Sequence, residues 1–566
     1  MTAVAQSSQT ALPNRPLLSR LTGWRAHGLA VSAGALATLA HAPFHVFPAL
    51  IVAMTVLVWL IDAAPQKTWR KAVFARVWWF GAGHFISGLH WVSSAFAVNP
   101  DFNFALGVLA AIALGGGLAV FPAVALSLAK PAWTDDYRRI PVFVVAYMAA
   151  ELLRGHLFGG FPWLLAAYVW APGGAISQAA SVVGAYGLTA LTLLLAAAPA
   201  AVLDHGRAVR RFGLVMVCAL GFGLLWGFGF QRLTTASIAV PGATPIIRVA
   251  EPGLSQREKW ATHPDEVLLA YLGVSGDAET SRADFVIWPE GAIPASGYTL
   301  VNRVEPGSRE YVLEPVRAQF IAEVMGDRVL ITGATSCAPD EACRAYFRGE
   351  RGMEGLVFAN SALAIDAVTG SPRPAGLYDK HRLTPFGEFI PLWPLISNLN
   401  IAPLQRIGAG FSPGPPPQRL VVDAGAQPLV VHICYESIFP GFTPRGDARP
   451  GWIVNISNDA WFGGGVGPAQ HFAIARYRAI EEGLPMARAA SGGVSAIVDA
   501  YGRAVEIADP ALGYAEAQLP ATLSETLYAR FDWWIIIALV VGLAGIRFAA
   551  PSFAPREPGH DAVSRG

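Results

Sequence analysis

VHICYESIFP, residues 431–440, carries an apolar run into a cysteine and then into Tyr435 and Glu436. Free cysteine is among the most buried residue types, so a packed thiol is the ordinary reading of Cys434. The longer run LVVHICYE (429–436) reads as a buried strand. Similar runs recur at IIRVAE (246–251), ADFVIWPE (283–290), RVLITGATS (328–336), FANSALAIDA (358–367) and WIVNISND (452–459). Between them PDEVLLAYLGV (264–274), REYVLEPVRAQFIAEVM (309–325) and AQHFAIARYRAIEEGLPMARAA (469–490) have helical spacing. The segment 245–525 therefore reads as an α/β domain, with apolar strands inside helical layers.

Three polar residues fall at or just past the ends of such runs. Glu290 ends FVIWPE, Lys380 sits in GLYDKHRLTPFGEFIP (376–391), and Cys434 ends LVVHIC. Sites in α/β sheets assemble beyond the C-terminal ends of strands. A thiol needs a base to become a nucleophile and a nearby cation to stabilise the charge that follows. Glutamate supplies the first and lysine the second.

The rest of the chain is far more apolar. Of 566 residues, 53% are hydrophobic and 14% charged, against about 25% charged in soluble domains, and the mean hydropathy is +0.42. A bilayer core takes about 20 apolar residues per helix. On that ruler, spans fall near 26–43, 47–64, 76–98, 104–128, 140–155, 174–203, 212–230 and 533–550. The stretch 157–170 reads as a re-entrant or interfacial piece. Lys and Arg gather at 15–25, 67–76, 130–139 and 207–211, while the alternate loops carry almost none. Basic loops stay cytoplasmic, so seven leading spans put the α/β domain outside. The expected division is a cytoplasmic tail 1–25, a membrane domain 26–231, an outer catalytic domain 232–530, a last membrane helix 531–550 and a cytoplasmic tail 551–566.

The net charge of +1 and the absence of a basic stripe exclude nucleic acid as a partner. No His or Cys spacing suggests a metal site. Cys337 and Cys343 flank a short loop and are candidates for a disulfide, Cys218 lies in an apolar span, and Cys434 is left as a reactive thiol.

The order of Glu290 in WPEGAIP, Lys380 in YDKHRLTPFGEFIP and Cys434 in HICYESIFP resembles the carbon–nitrogen hydrolase (nitrilase) superfamily. The leading spans, ELLRGHLFGGFPW (151–163) and NISNDAWFGGGVGPAQHFAIARYRAIEEGLPMARA (455–489) extend the likeness to its membrane-bound, lipoprotein-acylating branch. SGG at 491–493 departs from the asparagine-rich turn expected there. The resemblance implies a nitrilase-like αββα sandwich joined to about eight transmembrane helices, with Glu290, Lys380 and Cys434 as a catalytic triad and no cofactor. It implies acyl transfer from a phospholipid, phosphatidylethanolamine above all, through a Cys434 thioester to the α-amino group of a diacylated apolipoprotein at a bacterial inner membrane. Glu388, Tyr435 and Glu436 are then expected to support the site. Trp260, Phe386, Trp393, Trp461 and Phe462 are candidates for lipid contact, and the Pro/Gly-rich loop 391–417 for a lid. Glu151 and Arg154 read as an intramembrane pair beneath the site. A hydrolase using water shares the same thioester; a transporter is disfavoured because no repeat is visible.

Overall fold

The computed structural model describes residues 21–98, 104–204, 207–236, 244–277, 280–292, 302–303, 311–312, 315–337, 345, 356, 358–366, 373–391, 393, 410–422 and 427–549. Helices occupy every stretch read as a span: Gly23–Thr38, Phe47–Asp62, Trp69–Gly88, Phe104–Ala132, Arg139–His156, Ile176–Leu203, Ala208–Thr234 and Trp533–Ala549. Four apolar helices are long enough to cross a bilayer, or five if the pair Phe47–Asp62 and Gln66–Gly88, bent by 96°, counts as one span. The expected count of eight is not reached on that measure. The physical reason is length: the first two helices have 16 residues each and the last has 17. At 1.5 Å per residue these rods reach about 24–26 Å, short of a hydrocarbon core of about 30 Å.

The two ends of the bundle differ in chemistry. At one end Arg139 donates to both oxygens of Asp204 at 2.7 Å and approaches Asp62 to 3.3 Å, joining the ends of three helices where the basic loops gather. At the opposite end of the Arg139–His156 helix, Arg154 pairs with Glu151 and donates to the carbonyls of Phe161 and Trp163. Residues 157–170 are short turns rather than a helix, and Trp163–Val169 are buried. The expected intramembrane pair thus holds this irregular segment, satisfying carbonyls that no helix ladder could serve.

On that second end sits the α/β domain. Six strands, β1 (Ile246–Ala250), β2 (Phe285–Ile287), β3 (Val329–Cys337), β4 (Phe358–Asp366), β5 (Arg373–Asp379) and β11 (Tyr514–Gln518), form one sheet in the order β11-β1-β2-β3-β4-β5. Five others, β6 (Leu429–Ile433), β7 (Trp452–Asn458), β8 (Met486–Ser491), β9 (Ala496–Val498) and β10 (Ala504–Ile507), form a second in the order β10-β9-β8-β7-β6. The central strands β1, β2 and β3 run parallel, as do β6, β7 and β8. Alternate residues explain the layering. Ile247, Val249, Ile287 and Ile331 face Val431, Ile433, Val454 and Ile456 in one shared core. The other faces bury Val286 and Leu330 under helices Pro264–Ser275 and Pro315–Met325, and Val430 and Ile453 under helix Val466–Glu482. The result is an αββα sandwich.

One expected helix is corrected. The pattern 469–490 was expected to run unbroken, but the helix ends at Glu482 and Gly483 adopts φ 65° as its left-handed cap. MARAAS then becomes β8, fully buried beside β7. Glycine takes that conformation without the Cβ clash other residues meet, so the chain reverses there.

Candidate active site

Each of the three polar residues follows a strand. After β2, Trp288 anchors the chain by donating its indole N–H to Ser275 Oγ at 2.8 Å, and Pro289 and Glu290 turn across the sheet. Gly333 of β3 makes room for that turn, because a Cβ there would stand 2.7 Å from Glu290 Cα. Lys380 ends β5, its backbone N–H donating to Asn360 O at 2.7 Å. Cys434 ends β6 at φ 48°, an uncommon conformation for a side-chain-bearing residue. Such strain, on the order of 1–3 kcal/mol, persists only where surrounding contacts impose it.

The side chains converge. Glu290 Oε1 accepts from Asn360 Nδ2 at 2.6 Å and from Lys380 Nζ at 3.3 Å, and its Oε2 accepts from the backbone N–H of Asn458 at 2.9 Å. Lys380 also donates to the Glu388 carboxylate at 2.9 Å. Glu388 is fixed in turn by Asn360 Nδ2 at 2.6 Å and Thr384 N–H at 2.7 Å. Burial works against the Lys380 ammonium, but Glu290 and Glu388 overcome it and hold its pKa above the usual range. The same ammonium draws the Glu388 carboxyl below its ordinary value despite burial. Burial raises the Cys434 pKa, Glu290 raises it further, and the opposing pull of Lys380 is too small to reverse them. Burial and Glu290 thus favour the neutral thiol, while the Lys380 ammonium acts on it in the opposite direction.

Among the described residues Glu436 makes no salt bridge. It is fully buried and accepts from Ile433 N–H at 2.8 Å, Tyr378 Oη at 2.7 Å, His381 N–H at 2.7 Å and Arg382 N–H at 3.1 Å. Burial pushes its pKa up to about 7, against the pull of those donors. One carboxylate thus ties the Cys434 turn to the Lys380 segment. Tyr435 gives its hydroxyl to Gly160 O and stacks on Phe161, 6.4 Å between ring centroids, so the turn is seated on the membrane part.

A second network lies behind Cys434. His471 Nδ1 donates to Asp459 Oδ1 at 2.8 Å, and its Nε2 stands 3.0 Å from Ser437 Oγ and 3.2 Å from Cys434 O. Ser437 Oγ donates to the same carbonyl at 2.9 Å. Asp459 also accepts from Ser457 at 2.6 Å and Arg488 at 2.7 Å. Burial opposes the Asp459 charge, but Arg488 and His471 hold its carboxyl well below the usual range. These residues were not singled out from the sequence. The signal was there: Arg488 in MARAA and His471 in AQHFAIA are polar groups in apolar runs, and buried charge demands partners.

The lipid-contact candidates divide. Phe462 packs against Trp91 at 4.6 Å and Trp163 at 6.0 Å, joining the aromatic cluster at the membrane junction. Trp461 is half-buried beside it, Phe386 is 54% exposed at φ 62°, and Trp393 is half-buried. The Trp260 side chain, Cys343 and most of the lid, 394–409, lie outside the described residues. SGG closes the end of β8, where a Cβ on Gly493 would press 2.4–2.8 Å from the Asp459 carboxylate.

An αββα sandwich with this arrangement at its strand ends, seated on apolar helices, defines a membrane-associated member of the carbon–nitrogen hydrolase class. Residues 248–529 match the carbon-nitrogen hydrolase family, and residues 33–198 match the apolipoprotein N-acyltransferase N-terminal domain. An apolipoprotein N-acyltransferase of Rhodopseudomonas palustris is 36% identical over 563 residues, covering 95% of this chain and 100% of that one. Its counterpart in Caulobacter vibrioides is 35% identical, covering 92% and 93%. Among solved structures, the Caenorhabditis elegans NitFhit protein aligns at 15% identity over 54% of this chain and 64% of that one, with a TM-score of 0.30. The chain belongs to the apolipoprotein N-acyltransferase family.

Proposed function

We propose that the protein moves an acyl chain from a membrane phospholipid, through a thioester on Cys434, to the α-amino group of a diacylglyceryl-cysteine on an apolipoprotein. The observation that carries this is the meeting of Glu290, Lys380 and Cys434 at the strand ends that face the membrane segment 157–165, in a chain that matches acyltransferases along its whole length. Glu290 accepts the thiol proton as Sγ attacks the ester carbonyl. Lys380 stabilises the oxyanion, and the C–O bond breaks as Glu290 returns the proton to the departing lysophospholipid. The acceptor amine then attacks the thioester, Glu290 takes its proton, the C–S bond breaks and the proton returns to sulfur. Two easier steps replace one hard one.

Glu388 holds Lys380 in register with Glu290, and Glu436 and Tyr435 hold the nucleophile turn. We read the eight helices as eight crossings, the shorter ones completed by their flanking turns, with the basic loops cytoplasmic and the catalytic domain periplasmic at the inner membrane. Phosphatidylethanolamine is the expected donor.

Intact-mass measurement of purified protein incubated with phosphatidylethanolamine and no acceptor tests the reading. An acyl-sized increase, removed by neutral hydroxylamine and absent from Cys434→Ala, is the expected result. A diacylated lipopeptide should then discharge it as an amide. Discharge to free fatty acid alone, with no amide, would mean water is the acceptor and would sink the transfer step.

A further inference from the structure

Arg382 stands beside the site without a part in the chemistry above. Its backbone N–H is held by Glu436, the carboxylate that also holds Ile433 N–H immediately before the nucleophile. Its guanidinium Cζ lies 4.3 Å from the centroid of the Phe439 ring. Phe439 in turn meets Tyr435 edge-on at 5.2 Å, and Tyr435 gives its hydroxyl to Gly160 of the membrane segment. The charge therefore sits one ring away from the residue that follows Cys434, on the side of the sandwich that meets the membrane. It is close enough to Tyr435 to act on that phenol electrostatically.

Unlike its neighbours, Arg382 has no anion among the described residues. Lys380 pairs with Glu290 and Glu388, Arg154 with Glu151, Arg445 with Glu482 and Asp532, and Arg488 with Asp459. Among the described residues no carboxylate and no carbonyl accepts from the Arg382 side chain, which is half-buried. The loop 391–417, the nearest segment in sequence outside the described core, contains no Asp or Glu. The Phe439 ring fixes the guanidinium plane and leaves its N–H fork unused. A planar, permanently charged fork matches a phosphate in two parallel hydrogen bonds.

We propose that Arg382 binds the phosphodiester of the glycerophospholipid donor, so that the ester carbonyl one glycerol unit away falls at Cys434. The inference rests on the acyl-transfer reading and adds to it the group that distinguishes a phospholipid from a neutral acylglycerol. The ligand is a lipid phosphodiester rather than free phosphate, because the site lies at the membrane junction and the reacting ester belongs to the same molecule.

The test compares the full chain in detergent with two donors of equal acyl length, phosphatidylethanolamine and diacylglycerol, following thioester formation on Cys434 by intact mass. Arg382→Gln keeps the backbone N–H to Glu436 and removes only the fork. The ratio of kcat/KM for phosphatidylethanolamine over diacylglycerol should fall about tenfold to a hundredfold, the size of a lost charge-assisted pair. The loss should lie mainly in KM, and Arg382→Lys should recover part of it. Equal losses on both donors, which leave the ratio unchanged, would show that Arg382 only supports the fold, and wild-type kcat/KM on both would show that it only packs on Phe439. Inorganic phosphate binding that is lost in Arg382→Gln while the donor ratio stays unchanged would mean that the fork takes free phosphate, and would also overturn the proposal. A wild-type protein acylated by neither donor would overturn the transfer reading itself, an outcome distinct from these.

Discussion

Burial and Glu290 push the Cys434 thiol pKa up, and Lys380 pulls the other way. That ordering makes an unusual prediction about reactivity. Glu290→Gln removes a group that raises the thiol pKa, so Cys434 should alkylate faster with iodoacetamide at pH 8 than in the wild type. Lys380→Met removes the group that lowers it, so alkylation should slow. Peptide mapping separates this thiol from Cys218, which is buried in a membrane helix. Turnover should move differently. Glu290→Gln should cost about 10²–10⁴ in thioester formation as a lost general base, and Lys380→Met about 10²–10³ as a lost oxyanion donor. A Glu290 variant that is slower in both assays would contradict the electrostatics and point to a collapsed site.

At the scale of elements, the helix Val466–Glu482 does two things at once. Its first turns present Gln470 to the indole N–H groups of Trp91 and Trp163, at 3.1 and 2.8 Å, and His471 to the carbonyl of Cys434. The nucleophile turn is thereby braced against the membrane helices. His471→Ala should lower kcat for thioester formation with little change in KM, because the strained φ of Cys434 loses a bracing contact while the lipid surface is untouched. His471→Gln, which restores a polar group toward Ser437, should recover part of the rate. The opposite end of this helix depends on Gly483. Gly483→Ala should lower the melting temperature, destabilising the domain by about 1 kcal/mol or more, and the added Cβ would also meet Thr526 and Ser524 at 3.1–3.2 Å.

This helix also marks what was legible in the sequence. β1, β2, β3, β6 and β7 stand where apolar runs announced them, because a buried parallel strand is nearly continuous in Val, Ile and Leu, and antiparallel β4 stands where the run FANSALAIDA does. β8 was hidden: MARAAS has no β-branched residue, and its alanines continue a helical pattern across Gly483. β5, RPAGLYD, carries Pro and Gly and lacks the apolar run that marks the others. Glu290 and Cys434 were legible because each terminates an apolar run, and Lys380 because it sits in the motif YDKHRLTPFGEFIP. The Asp459–His471–Arg488 network was not, since its members come from three elements that only folding brings together.

Over the whole molecule, charge is segregated between the two ends of the helical bundle. The Arg139–Asp204–Asp62 cluster closes the end where the basic loops gather, and the end that carries the sandwich is nearly free of Lys and Arg in its loops. Arg139 is 1% exposed, so Arg139→Leu leaves two carboxylates without their cation, a loss on the order of 3–5 kcal/mol. A shortened thermal range of the solubilised protein would register it. Orientation follows from the same asymmetry and is measured separately. On a background with all four cysteines replaced by alanine, Thr68→Cys places a thiol in an exposed basic loop and Ala448→Cys places one on the exposed edge of the sandwich. A membrane-impermeant maleimide added to intact spheroplasts should label Ala448→Cys at once and Thr68→Cys only after the membrane is opened. The reverse pattern would put the catalytic domain in the cytoplasm, and with it the donor leaflet. Labelling of both sites in intact spheroplasts would mean that the bent or shorter helices do not cross, reducing the count toward the four that are long enough by themselves.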